Sequence, residues 1–151
     1  MRIRHTGFTL VEVLVVTALV GLLAASLLWG FASARRQGQY SQAQAHGLEV
    51  FLALDAFLVR NTDLLLDLDG WTAAWPAGSL DGAPAALAGL GGFDCRQAVT
   101  LGRGGMEGGG QSWGAAPATV GCLIERVGDR FLVHTWVRGL PRHYLNGRDP
   151  P

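Results

Sequence analysis

The chain contains no lysine, and its 12 basic residues, all arginine, are balanced by 12 acidic residues for a formal net charge of +0. Proteins that bind nucleic acid through phosphate contacts usually carry a basic stripe or patch, which this balance does not supply. We therefore expect no direct nucleic-acid binding unless Arg138, Arg142, His143 and Arg148 come together in the fold.

The sequence also has few of the residues that build metal sites and active sites. Its only two cysteines, Cys95 and Cys122, form no CxxC pair, and no histidine stands at a zinc-binding spacing from them. The other candidate side chains, His46, His134 and His143, are scattered, and no nucleophile accompanies them in a recognisable pattern. The sequence therefore predicts no metal site, no cofactor and no enzymatic activity.

Two segments match ligand-binding motifs only in part. Residues 67–70 read Asp-Leu-Asp-Gly, like the start of a calcium loop, but position twelve of an EF-hand would be Gly78, which has no side-chain oxygen. We interpret this segment as a turn. The glycine-rich residues 102–110 lack the lysine and Ser/Thr of a phosphate-binding loop. They are predicted to form a flexible loop, with an exposed protein-contacting tip as the alternative.

No charged residue occurs from residue 13 to residue 34, which is a run of 22 positions. As a helix this run would reach roughly 33 Å, enough to cross a bilayer. Arg2 and Arg4 precede it, and a basic amino-terminal side normally stays in the cytoplasm, so we expect the carboxyl-terminal domain to be exported. Glu12 lies at the edge of the run, where an unpaired carboxylate costs at least about 2 to 3 kcal/mol, and its presence suggests a partner charge.

Two ordinary interpretations of this region are a secretory signal peptide and an unrelated membrane anchor. A signal peptide has an apolar core of about 7 to 15 residues followed by a small-residue cleavage site. Here the run is longer, and its cluster of small residues at 24–26 lies inside it. A generic anchor accounts for length and hydrophobicity but gives no reason for Glu12 or for the Gly-Phe-Thr-Leu sequence before it.

Residues 7–12, Gly-Phe-Thr-Leu-Val-Glu, followed by the apolar run, resemble the start of type IV prepilins and of the related pseudopilins of type II secretion systems. The resemblance covers roughly a quarter of the chain. It implies that a prepilin peptidase cleaves after Gly7, discards residues 1–7 as a leader and methylates the new amino terminus at Phe8. It also implies that Glu12 is the acid that acts in filament assembly.

The resemblance implies a filament subunit that begins as a single-pass protein of the bacterial inner membrane, with its carboxyl-terminal domain in the periplasm. The implied partners are other pilin or pseudopilin subunits, the prepilin peptidase, the inner-membrane assembly platform and the membrane. Many major pilins carry a proline in the membrane half of the helix, where this chain has Trp29, so we favour a minor pilin that supports motility, adhesion or DNA uptake. The alternatives are a type II secretion pseudopilin and a surface- or DNA-binding filament subunit.

The predicted fold is α+β and pilin-like, with a long helix over residues 8–60 packed on a small antiparallel sheet. We divide the chain into a leader (1–7), a transmembrane helix (8–34), its amphipathic continuation (35–60) and an exported β-rich domain (61–151). Strands are expected at residues 119–127 and 130–137, joined by a turn at Gly128, with a further candidate at 98–101. Residues 71–92 are expected to be a loop with a short helix at 84–90, and residues 141–151 to fray.

In an oxidising compartment we expect Cys95 and Cys122 to form a disulfide, with two buried thiols in adjacent strands as the alternative.

Tryptophan is the other conspicuous feature of the part that we expect to be exported. We expect Trp136 to fill the core from its strand. For Trp71 and Trp75, which are flanked by small residues and proline, we leave core packing and contact with a subunit or ligand as equal alternatives.

Overall fold

The computed structural model describes residues 9–62, 66–73, 75–95 and 116–151, except for the side chains at positions 28 and 29. Its elements are helix α1 (Leu10–Arg60), helix α2 (Leu68–Thr72), a 3-10 helix (Ala85–Leu87) and strands β1 (Phe93–Asp94), β2 (Val120–Val127), β3 (Arg130–Val137) and β4 (His143–Leu145). The predicted α+β fold is confirmed, because a long amino-terminal helix packs against a four-stranded antiparallel sheet. The strand expected at 98–101 and the loop at 102–110 lie outside the described residues.

Helix α1 is continuous over 51 residues and contains no proline. It ends where the Asn61 backbone N–H and side-chain Nδ2 both donate to the carbonyl of Phe57, at 3.1 and 2.8 Å. The chain forms two compact units that divide after Gln37. The first contains the amino-terminal part of α1, and the second contains α1 from Gly38 onward together with all the other elements.

The sheet is an antiparallel meander in which neighbouring strands follow the chain order β1-β2-β3-β4. Its centre is the long β2–β3 hairpin, whose register pairs Val120 with Val137 and Val127 with Arg130. Gly128 has a φ of 61°, which a two-residue hairpin loop requires and which glycine adopts without a steric penalty. The predicted strands and their turn are therefore confirmed.

One face of the sheet, which we call the inner face, packs on the second half of α1. Its core consists of aliphatic and aromatic side chains from α1, from α2 and the segment that follows it, and from the strands: Val50, Leu54, Leu68, Trp71, Trp75, Cys95, Ile124, Phe131 and Val133. The contact is close, because the Thr135 hydroxyl donates to the carbonyl of Ala43 at 2.8 Å. A Cβ atom at Gly47 would lie 2.6 Å from the Thr135 Oγ1, so Gly47 allows the helix to approach the sheet.

The opposite, outer face is partly covered by the segment between α2 and β1. Leu87 of the 3-10 helix packs on Leu123 and Trp136, and all three are 2% exposed or less. Trp136 therefore fills the core as predicted, and Gly121 on the paired strand leaves room for its indole ring. Since both faces of β3 are covered along much of its length, the strand shows no cleanly polar side in its sequence.

The structure corrects two local predictions. The tail expected to fray instead forms β4, since Tyr144 is buried against Ala43, Val120 and Val137 while its strand pairs with β3. The expected loop from residue 71 begins inside α2, whose first turn is capped by the Asp67 side chain accepting from the Gly70 N–H at 2.9 Å. The short helix predicted within residues 84–90 is confirmed as the 3-10 helix.

Candidate functional site

The first turn of α1 is stabilised by Thr9 and Glu12. The Thr9 backbone N–H and hydroxyl both donate to the Glu12 Oε2 at 2.9 Å, and the Glu12 N–H donates to the Thr9 Oγ1 at 3.3 Å. This reciprocal pair is a capping box, in which a threonine before the helix and an acid three residues later satisfy otherwise free backbone N–H groups. The acid therefore lies at the amino-terminal end of α1, immediately before the long apolar run.

From residue 13 to residue 34, α1 carries no charged side chain, and most of its described side chains are apolar and exposed. Leu14, Leu22 and Phe31 are 60%, 70% and 71% exposed. None of the most apolar stretch of α1 is buried within the described part of the protein. Among the described residues, α1 is the one helix long and apolar enough to cross a membrane. Exposing so large an apolar surface to water is unfavourable in free energy. This part of the helix is therefore expected to contact lipid or other apolar helices.

The family described as the prokaryotic N-terminal methylation motif matches residues 2–28, about a fifth of the chain. The chain carries the amino-terminal motif of type IV pilins and pseudopilins. The long helix and the antiparallel sheet agree with the pilin-like fold that the sequence predicts. Its hydrophobic helix is consistent with anchoring in the inner membrane before assembly. No curated protein and no solved structure matches this chain. Gly7 and Phe8, where cleavage and methylation are expected, lie outside the described residues.

Cys95 and Cys122 form a disulfide, in agreement with the prediction. The bond joins the end of β1 to the inner face of β2 across 27 positions of sequence. Closing a loop of this length restricts the unfolded chain and stabilises the fold by about 3 to 4 kcal/mol in the chain-entropy account. The disulfide thus secures a two-residue strand that has few pairing contacts of its own.

Trp71 and Trp75 pack in the core on the inner face of the sheet. They are 3% and 6% exposed, with their ring centroids 4.6 Å apart in an edge-to-face arrangement. Trp75 also stacks on Phe131 at 5.6 Å, and Phe57 stacks on Trp71 at 5.5 Å. Such ring pairs stabilise a core beyond their buried area. Of the two alternatives left open for these tryptophans, the structure favours core packing over contact with a subunit or ligand.

Both acidic residues of the Asp-Leu-Asp-Gly segment form contacts within the protein. Asp67 caps α2, and Asp69 forms an ion pair with Arg126, whose guanidinium also lies 3.4 Å from the Thr72 hydroxyl. Within the part of the chain that the structure describes, no three potential ligands of the His, Cys, Asp or Glu type come together. The segment is therefore the cap and the first turn of helix α2, and not the separate turn predicted from the sequence.

The histidines lie in two different environments. His46 is 5% exposed on the inner side of α1, where burial lowers its pKa below the ordinary value of 6.5 and the nearby Glu49 carboxylate opposes the shift. His134 and His143 lie on the outer face with ring centroids 6.4 Å apart, and His134 Nε2 is 2.8 Å from the Glu125 carboxylate. Burial and the neighbouring His134 lower the pKa of His143.

Two of the four residues named as a conditional DNA-binding cluster, Arg138 and Arg142, have different neighbours. Arg142 lies over the ring of Tyr40 on α1, with its guanidinium carbon 5.4 Å from the ring centroid. Arg138 lies beside the backbone of Gly82, in the segment between α2 and β1. Arg138 and Arg142 therefore contact different elements, and these contacts do not indicate the shared basic patch that phosphate binding would require.

Proposed function

We propose that the chain is a minor pilin, a low-abundance subunit of a type IV pilus-like filament. In this proposal a prepilin peptidase cleaves after Gly7 and methylates the amino terminus at Phe8. The observation that supports it most directly is the methylation motif over residues 2–28, which includes the start of a helix with exposed apolar side chains. The predicted biological settings are motility, adhesion or DNA uptake.

Assembly in this account depends on a charge pair at the start of α1. Cleavage would create an ammonium group on Phe8, one residue before the threonine that holds the Glu12 carboxylate. In the filament, the Glu12 of one subunit would accept the Phe8 ammonium of a neighbour. In hydrocarbon such a pair is strongly favoured over two separate charges, although its net gain after desolvation is small. Its main effect would be to set the register between subunits.

Before assembly, the apolar part of α1 would hold the subunit in the inner membrane with the sheet domain in the periplasm. The disulfide fits this location, because such bonds form and persist in oxidising compartments. We propose the prepilin peptidase, the assembly platform of the inner membrane and other pilin subunits as partners. Close approach between helices would be eased by the small residues Gly21, Ala24, Ala25 and Ser26.

Replacing Glu12 with alanine tests the assembly role. Membrane insertion should be unchanged, because alanine makes the helix more apolar, whereas incorporation into sheared filaments should fall by at least about tenfold, because the neighbour's ammonium loses its partner. Quantitative immunoblotting of membrane and filament fractions measures both quantities.

The matched control is Asp81→Ala, which removes an exposed carboxylate from the outer segment and should leave both fractions unchanged. Incorporation of the Glu12→Ala subunit at the wild-type level would contradict the assembly role. The same fractionation distinguishes the two machines that carry this motif, because a pseudopilin would be recovered with the secretion apparatus and not with sheared pili.

A further inference from the structure

We propose that His134 and His143 form a binding site for a divalent transition-metal ion of the Zn²⁺ type on the outer face of the sheet. His134 lies on β3, and His143 lies on the neighbouring strand β4. Both belong to the unit that begins at Gly38, so the proposal does not depend on the amino-terminal motif or on the assembly role of Glu12. Imidazole nitrogen is a preferred ligand of zinc, copper and nickel ions.

The register of the sheet places Glu125, His134 and His143 on one diagonal. In the β2–β3 pairing, Glu125 is opposite Leu132, which comes two positions before His134. In the β3–β4 pairing, His143 is opposite Trp136, which comes two positions after His134. Residues directly opposite each other, and residues two positions apart on a strand, point to the same face of a sheet. The three side chains therefore share the outer face, with His134 between the other two.

The Glu125 carboxylate determines which nitrogen of His134 can bind a metal. His134 Nε2 is 2.8 Å from the Glu125 Oε2. An ionised carboxylate only accepts hydrogen bonds, so Nε2 carries the proton, and Nδ1 of the neutral ring has a free lone pair. Metal-binding histidines generally donate their other ring N–H to a carboxylate, a carbonyl or water, and this contact fixes the tautomer and the orientation of the ring.

His134 Nδ1 lies on the side of the ring where His143 is found. The two nitrogens occupy opposite sides of an imidazole, and Nε2 is directed along the diagonal toward β2, so Nδ1 is directed toward β4. His134 is 7% exposed, and its Nδ1 is buried with no hydrogen-bond partner among the described residues. Buried polar atoms without a partner are rare in native proteins, and a bound ion is one arrangement that satisfies them.

The separation of the two histidine rings suits a shared ion. Their centroids are 6.4 Å apart, and their planes are inclined by 31°. Two imidazoles that bind one zinc ion at about 2.0 to 2.1 Å per nitrogen have centroids roughly 5 to 6.5 Å apart. His143 is partly exposed, so rotation of its side chain gives an ion access from solvent. Binding therefore requires no rearrangement of the strands.

Two imidazole ligands leave part of the coordination shell open. Within the described residues no third histidine, cysteine or acid completes the site, since Glu125 is bonded on the other side of His134. Water would complete the tetrahedral shell, as it does at the open position of catalytic zinc sites. We therefore expect a reversible site that fills as the zinc concentration rises, and not a structural site on which folding depends.

Zinc titration of the full chain tests the site. The protein is purified without a histidine tag and studied in detergent micelles at about pH 7.5, where histidine is neutral, by NMR of the imidazole nitrogens. Before zinc is added, His134 Nδ1 should have the chemical shift of an unprotonated nitrogen. Zinc should then shift His134 Nδ1 and one nitrogen of His143 together, with saturation at one ion per chain. A protonated His134 Nδ1, or no saturable binding, would overturn the proposal.

Two histidine variants locate the ion. His143→Gln removes a ligand at a partly exposed position and should weaken zinc binding by more than about tenfold, because loss of an outer-shell partner alone costs that much. The matched control, His46→Gln, removes an imidazole from the inner side of α1 and should leave the zinc affinity unchanged. Equal affinities of the wild type and His143→Gln, or equal losses in the two variants, would show that the ion binds elsewhere.

Glu125→Gln tests the positioning role of the carboxylate. This variant keeps both ligands, but an amide does not fix the tautomer of His134 as a carboxylate does. We expect zinc binding to weaken by about tenfold and the His134 Nδ1 resonance to move toward that of a protonated nitrogen before zinc is added. Wild-type affinity together with an unmoved Nδ1 resonance would contradict the proposed arrangement.

Discussion

Thr9 holds the Glu12 carboxylate in place within a single subunit. Their three hydrogen bonds fix the carboxylate against the first turn of α1. The helix dipole also favours a negative charge at this end. In the proposed mature chain the Phe8 ammonium would lie next to Thr9, so the same carboxylate would serve both as a helix cap and as an acceptor of a neighbour's charge. Thr9 thus positions the acid on which the assembly proposal depends.

The burial of His46 predicts that the stability of the unit from Gly38 onward depends on pH. Burial lowers its folded-state pKa below 6.5, so the unfolded chain takes up the proton first as the pH falls. Stability should therefore be complete above pH 6.5 and should decline as the pH drops below that value. The measurement is urea unfolding of the full chain in detergent between pH 8 and pH 5, followed by tryptophan fluorescence.

The variant His46→Gln should flatten this pH profile, because the buried titrating group is removed. The shift of His143 has the same sign, so the double variant His46→Gln, His143→Gln should flatten it further. A profile identical in the wild type and in His46→Gln would show that the buried imidazole does not control the acid response.

The packing of α1 on the sheet depends on the absence of a side chain at Gly47. In Gly47→Ala the new Cβ would lie 2.6 Å from the Thr135 Oγ1 and 3.2 Å from the Gly147 nitrogen, so the helix would have to move away from the sheet. We expect a loss of about 1 to 3 kcal/mol in the free energy of unfolding, the usual cost of overpacking. Urea unfolding of the full chain in detergent measures it.

Gly38→Ala provides the matched control on the same helix. A Cβ at Gly38 meets no atom within 4 Å, and alanine favours the helix by up to about 1 kcal/mol. This variant should be as stable as the wild type or more stable. Equal destabilisation by both substitutions would show that the close approach at Thr135 does not determine the outcome.

The long elements could be predicted from the sequence, and the short ones could not. Helix α1 and strands β2 and β3 carry local signals over many residues: a long apolar run, β-branched alternation and a glycine turn. Strand β4 has only three residues and forms because Tyr144 is buried in tertiary contacts that no local pattern reveals.

The two compact units of the chain suit two different environments. The amino-terminal unit exposes apolar side chains that need lipid or neighbouring helices. The unit from Gly38 onward buries its apolar residues around the sheet and is secured by the disulfide between Cys95 and Cys122. A membrane-anchored subunit that later enters a filament needs both parts, since the same helix surface would contact lipid before assembly and other helices after it.

The most direct test of the whole account is intact-mass and amino-terminal analysis of the protein from cells that express the cognate prepilin peptidase. The account predicts a chain that begins at methylated Phe8 and lacks residues 1–7. A chain that still begins at Met1, while the peptidase processes a control substrate in the same cells, would contradict it. Glu12 would then be a cap on an ordinary membrane anchor, and the assembly mechanism would be withdrawn.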